Sequence, residues 1–254
     1  MPTSTISKKI ERFASDIYIK DSTGENFIEN IVNTTNLPSL LGRLKFKGDD
    51  RSVLEMGFGE GTITEPLLRA GYDVEIVEGS SQLCDTARSR FGAEFGSQLK
   101  VNCSYFENFT PSCPFENVLS LHVLEHVDHP GEVVKQMYDW VAPGGQVIAV
   151  VPNAESLHRQ LAVMMGLQEE NDSLSPRDVL VGHQRVFTLE QLVGHFEAAG
   201  FEVAERFGYF VKVVPNGMMV EWKPDLIQSL TRISGQLPPQ LLANVGIVAK
   251  KRVR

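Results

Sequence analysis

Cysteine is scarce in this chain, with three residues in 254. Cys84, Cys103 and Cys113 fall at no metal-ligand spacing, and any disulfide scheme leaves one unpaired, so a disulfide scaffold is excluded and a reducing compartment is expected. No apolar run is long enough to span a bilayer, and the opening MPTSTISKKIERF lacks the apolar core of a secretory leader. The expected location is cytoplasmic, with no membrane partner. Basic charge is also short: 24 Lys and Arg stand against 32 Asp and Glu, a formal charge of −8. Without a broad basic face, nucleic acid is not an expected partner, and the one basic cluster, Lys250 to Arg254, reads as a solvated tail. Internal repeats and low-complexity tracts are missing too. What remains is ordinary apolar content without a composition break, which fits one well-cored domain with an elaboration.

The stretch that organises the rest is RSVLEMGFGEGTITEPLL, Arg51 to Leu68. Ser52, Val53, Leu54 and Met56 read as a short buried strand, and Gly57, Gly59 and Gly61 supply a turn that β-carbons would obstruct. A helix is expected from about Thr62, whose hydroxyl would cap it, with Ile63, Leu67 and Leu68 on one face. Such a loop lets a nucleotide-like ligand approach bare backbone. An acid, Glu55, precedes the first glycine by two residues, giving E-x-G-x-G-x-G rather than the dinucleotide G-x-G-x-x-G. Further on, YDVEIVEGS reads as the next strand, with Glu78 at its carboxyl end.

This paired-acid pattern resembles motif I and its successor in the class I S-adenosylmethionine-dependent methyltransferases. The resemblance implies S-adenosyl-L-methionine as cofactor, with Glu55 facing its methionine part and Glu78 taking the ribose hydroxyls. Gly57, Gly59, Gly61, Thr62, Gly79 and Ser80 would surround them. A strand over Leu99 to Ser104 would bring Ser104, Tyr105 and Phe106 to the adenine, and Leu121 and His122 would close the pocket at the end of the fourth strand. The implied fold is α/β: a doubly wound, mostly parallel seven-stranded sheet over residues 51–254, with an N-terminal helical lid over 1–50 and an acceptor-lid insertion over 154–187. Ser80 and Ser81 can cap a helix to about Phe91, the fifth strand is expected over Gln146 to Val151, and the last, Asn244 to Lys250, would run antiparallel beside the sixth.

The segment HVLEHVDHP after the fourth strand spells H-x-x-E-H, the inverted zincin signature. That motif needs a long helix to align its histidines, whereas His122 ends a strand and Pro130 follows soon after, so no metal is expected. The same segment is similar to the LEHV sequence of methyltransferases related to ubiquinone-biosynthesis O-methyltransferases. In that group E-x-x-E-H can hold a divalent cation, and His122 stands where the first glutamate would be. A histidine there is a candidate general base, while Glu125 and His126 are expected to position rather than react. Asn153, leaving the fifth strand, and His183 complete the candidate catalytic group. Tyr18, Asn153, His183 and Arg185 are the candidate substrate contacts, with Phe13 a further lid aromatic and the segment from Tyr209 to Met219 completing the pocket.

These readings predict transfer of a methyl group to a hydroxyl or amine of a small-molecule acceptor by in-line displacement at the sulfonium. The alternative is attack on the aminopropyl chain with release of methylthioadenosine. A third reading, a silent cofactor-binding partner subunit, would be signalled by loss of Glu55, Glu78 or the glycines, and all are present. The expected partner is the small substrate, and a homodimer is left open.

Overall fold

The computed structural model describes residue 11, residues 14–20 and residues 25–253. Phe13 lies outside them. A π-helical turn, Ala14–Ile19, precedes helix α1 (Asn26–Leu41). Strands and helices then alternate: β1 (Ser52–Met56), α2 (Thr64–Arg69), β2 (Asp73–Glu78), α3 (Ser81–Phe95), β3 (Leu99–Cys103), β4 (Phe115–Leu121), α4 (Pro130–Trp140) and β5 (Val141–Pro152). Two short helices, α5 (Leu157–Met164) and α6 (Pro176–Leu180), interrupt the alternation before α7 (Leu189–Ala198), β6 (Glu202–Tyr209), α8 (Pro224–Arg232) and β7 (Asn244–Lys250).

The sheet order is β3-β2-β1-β4-β5-β7-β6, with β7 antiparallel to both neighbours and the remaining pairs parallel. This is the expected doubly wound sheet, with the last strand inserted antiparallel beside the sixth. Alternation along β1 shows why it forms. Leu54 and Met56 join the core on one face and Val53 the core on the other, so an uninterrupted apolar strand suits a sheet covered on both sides. Phe109, Trp140, Phe196 and Phe201 fill the first core; Ile28, Phe58, Phe91 and Phe207 fill the second. Truncating a fully buried Leu54 or Leu67 to alanine would cost about 2–5 kcal/mol.

Two boundaries differ for physical reasons. Helix α2 starts at Thr64 rather than Thr62 and has no side-chain cap. The Thr62 hydroxyl instead donates to Asn30 Oδ1 of α1 (3.2 Å), and Thr64 Oγ1 donates to Glu55 Oε2 (2.7 Å). Strand β5 begins at Val141, because Gly144, in the left-handed region at φ 80°, lets the A-P-G-G turn stay paired with its neighbours.

The segment between β5 and α7 leaves and returns at one point. Asn153 and Phe187 form a bridge, and Ala154 N–H donates to Phe187 O (2.8 Å). Helix α6 inside it is closed by a capping box in which the Ser175 hydroxyl and the Asp178 carboxylate satisfy each other's backbone N–H. Arg159 Nη2 donates to Asp178 Oδ2 (2.6 Å), and this buried ion pair joins α5 to α6.

Candidate active site

A cavity of about 1150 Å³ opens at the carboxyl ends of the parallel strands, where ligands bind in open α/β sheets. Its floor is the glycine loop. Gly57, Gly59 and Gly61 all adopt left-handed backbone, at φ 76°, 54° and 72°. A β-carbon at Gly61 would lie 2.9 Å from the Phe58 ring, so that glycine is required by the turn itself, and it does not line the cavity.

Two carboxylates face the floor. Glu78 accepts from Phe58 N–H (2.9 Å) through Oε2 and from Ser80 N–H (2.7 Å) through Oε1, which fixes its plane and leaves lone pairs free. Glu55, 4 % exposed, has burial pushing its carboxyl up to about 8, against the Thr64 hydroxyl that lowers it and the Glu78 charge that raises it further. A cationic group brought beside Glu55 would restore its ionisation.

A second polar corner lies at the end of β4. His122 holds φ 56° and Phe210, at the end of β6, φ 70°. Among the described residues these are the two non-glycine positions in the left-handed region, and both line the cavity. Such strain persists only where surrounding contacts enforce it. His122 Nε2 lies 3.1 Å from the Tyr209 hydroxyl, and Nδ1 lies 3.3 Å from Glu125 Oε1, a charge contact rather than an aligned hydrogen bond. Burial would lower the His122 pKa, but the Glu125 carboxylate overrides it and Glu29 adds to the rise, leaving it above the ordinary histidine value. Glu125, fully buried, titrates below the ordinary range because His122, His126 and His183 outweigh its burial. Behind it, His183 Nε2 lies 4.0 Å from Glu125 Oε1 and Nδ1 lies 2.8 Å from Asp178 Oδ1. His126, held neutral by burial with a pKa of about 4, packs edge-on against His183. Donor atoms of Glu125, His126 and His183 fall within 4.8 Å of one another, a spacing that could hold a divalent ion and that the sequence reading did not foresee.

The methyltransferase-domain family matches residues 31–206. This chain belongs to the class I S-adenosylmethionine-dependent methyltransferases. A ubiquinone biosynthesis O-methyltransferase of Caulobacter sp. (strain K31) is 33 % identical over 114 residues, 44 % of each chain. The chain thus matches about half the length of its curated relatives. A Thermotoga maritima structure described as a possible histamine N-methyltransferase covers 94 % of this chain and 98 % of its own at TM-score 0.64 and 18 % identity. The N-methyltransferase NodS of Bradyrhizobium japonicum, solved with S-adenosyl-L-homocysteine, covers 88 % and 86 % at TM-score 0.53 and 13 % identity. These two likenesses show the fold. The methyltransferase family does not favour the aminopropyl-chain alternative.

The cofactor of this family is S-adenosyl-L-methionine, and the cavity suits it. Glu55 is a buried acid awaiting a cation, Glu78 is an oriented acceptor for vicinal hydroxyls, and Tyr105 and Phe106 offer aromatic surface beside Ser104. Thr62, Gly79, Ser80, Leu121, His122, His183 and Tyr18 also line the cavity. Besides Gly61, two expected site residues do not. Asn153 is 1 % exposed, and its amide donates to Gln240 O (2.7 Å) and Leu242 O (2.8 Å) while Oδ1 accepts from Glu155 N–H (2.9 Å). It ties β5 to the approach to β7 rather than facing a substrate. Arg185 donates to the carbonyls of Val127, Leu124 and Asp128, so its fork braces the loop after β4.

Several cavity residues carried no sequence signal. Glu60, in the glycine loop, accepts from Asn26 Nδ2 and, at 2.7 Å, from Asn30 Nδ2, clasping α1 to the loop. Outside the cavity lining, Glu11 accepts from Ser81 N–H (2.6 Å) and from the Ser80 hydroxyl (2.8 Å) at the start of α3. Glu29, His158, Arg177, Lys212 and Asn216 line the far end. Amide-rich spacing in α1, Asn26 with Asn30, is the one hint available beforehand.

Proposed function

We propose that this methyltransferase methylates a hydroxyl or amine on a small molecule, with His122 as the proton acceptor and α1 and the 154–187 segment as the covering lid. The observation that carries the reading is His122, held in left-handed backbone inside the cavity between Tyr209 and Glu125.

Bound S-adenosylmethionine supplies a methyl group on a sulfonium that is itself a good leaving group, so the protein's share is alignment, dehydration and proton removal. Glu125 faces Nδ1 and favours the tautomer that keeps its proton there, which leaves Nε2 as the basic atom. Tyr209, 3 % exposed and pushed to a still weaker acidity by burial and by Glu29 and Glu125, stays protonated and donates toward the same Nε2. An acceptor hydroxyl taking that place would pass its proton to His122, and an ammonium would give up its proton there first, which frees the lone pair its nitrogen needs as a nucleophile. Tyr18, beside Gly59, closes the cavity from above and helps exclude water.

The test is calorimetric titration of S-adenosylmethionine, then a screen of small hydroxyl and amine compounds read as S-adenosylhomocysteine formed. His122→Asn, which tolerates the left-handed backbone, is expected to lose about 100-fold in kcat while cofactor affinity is unchanged. Absence of cofactor binding, or a His122→Asn enzyme as fast as wild type, overturns the reading.

A further inference from the structure

The far end of the cavity holds more charge than its ion pairs use. Arg177 Nη1 is paired with Glu25 Oε2 at 2.9 Å, and Arg159 with Asp178 at 2.6 Å. Glu29 accepts from Asn216 Nδ2. Lys212, which follows the sharp bend at Phe210, is different: among the described residues its ammonium has no hydrogen-bond or ion-pair partner, although it lines the cavity. Burial, Arg177 and Arg159 oppose its charge, while it feels Glu29 and Asp178 only at longer range. Beside it, His158 Nδ1 is buried with no hydrogen-bond partner. Burial first, then the neighbouring Lys212 and Arg159, hold that imidazole neutral.

A half-buried ammonium on the cavity wall without a protein partner, beside a buried ring nitrogen that has none, makes a place where an anion gains by satisfying both at once. The required ligand brings an anion with several acceptor lone pairs. Glu29, across the same space, would repel a second anionic group and attract a hydroxyl or ammonium.

Resting on the methyltransferase reading above, we infer that the acceptor carries a carboxylate, seated on Lys212 and His158, with its hydroxyl or amine turned toward His122 and Glu29. The carboxylate holds one end of the acceptor, so the nucleophile at its other end is presented to the methyl group rather than searching for it.

The experiment uses matched pairs of small compounds, each hydroxy or amino acid beside its primary amide, beginning with 4-hydroxybenzoate and 4-hydroxybenzamide, and extending to aliphatic pairs. Binding to the S-adenosylhomocysteine-loaded protein is measured by ligand-observed NMR, so no turnover is needed. The best-bound acid is expected to bind about ten-fold tighter than its amide. That preference should vanish in Lys212→Met and persist in part in Lys212→Arg, with S-adenosylhomocysteine affinity the same in all three proteins. Acids that bind no better than their amides in wild type, or a preference that survives Lys212→Met, overturn the inference. Failure of the methyltransferase reading shows separately, as absence of S-adenosylhomocysteine binding in wild type.

Discussion

The two ends of the cavity are built in opposite ways. The cofactor end comes from contiguous chain: Glu55 and the glycines in one strand-loop-helix unit, Glu78 twenty residues beyond Phe58, whose backbone it holds. The far end, proposed above to take the acceptor, draws single residues from distant places, Glu29 from α1, His158 and Arg177 from the 154–187 segment, Tyr209 and Lys212 from the end of β6. One end is set by backbone geometry and the other by side-chain charge. A turn that needs left-handed residues leaves its mark as glycines at fixed spacing; an ion pair between residues far apart in sequence leaves none.

The sharpest way to break this contrast is at Arg159. Removing one partner of its buried pair strands Asp178, whose carboxylate is held far below its ordinary pKa against burial by His183, Arg159 and Ser175. Arg159→Ala should cost about 3–5 kcal/mol, read by denaturant unfolding and by faster hydrogen exchange confined to 154–187. Loosening that spreads equally to the glycine loop would show that the two ends are not separate. At the cofactor end, Glu78→Ala should weaken S-adenosylmethionine about 30–100-fold, the loss of a charged acceptor of hydrogen bonds, with the fold intact by circular dichroism. Between the two ends, Glu125→Gln removes the charge behind His122 without changing its shape. A drop of about ten-fold in kcat is expected, with cofactor affinity held. A pH dependence gives a further handle. Glu55 rises from 4.5 unfolded to about 8 folded, so folding takes up a proton between those values. Its stabilisation is complete below the unfolded pKa and is lost as pH rises through the folded one. The melting temperature of the cofactor-free protein should fall by a few degrees across that window, and Glu55→Gln should flatten the fall.

Legibility in the sequence follows the same division. The strand before the glycines, the helix after Ser80 and Ser81 and the fifth strand could be read from apolar periodicity and turn residues, because each depends on neighbours close in the chain, whereas the seven-stranded sheet and its antiparallel last strand came from the family resemblance. Glu55, Glu78 and His122 stood out for their places at strand ends. Thr62 misled because a hydroxyl before a helix is an ordinary cap, whereas here the helix starts two residues later and α1 takes the hydroxyl. Asn153 and Arg185 misled in a related way. Both sit at the ligand edge, but the loops around them expose carbonyls that need donors, and those carbonyls claim the side chains. Lys212 looked like any surface lysine, since nothing local announces that β6 turns it inward.

The clasp between Glu60 and the two asparagines of α1 has a thermodynamic consequence. It fastens the loop that floors the cavity to α1, whose Asn26, Glu29 and Asn30 line the same cavity, so moving α1 outward would break carboxylate-amide bonds and release the floor. Ligand loading at one end therefore carries a coupling free energy to the other. A cofactor that rigidifies the loop would also hold α1 in place, and by reciprocity any second ligand that settled α1 would tighten the cofactor by the same factor. Loop and helix are thus joined through one glutamate that itself stands on the cavity wall.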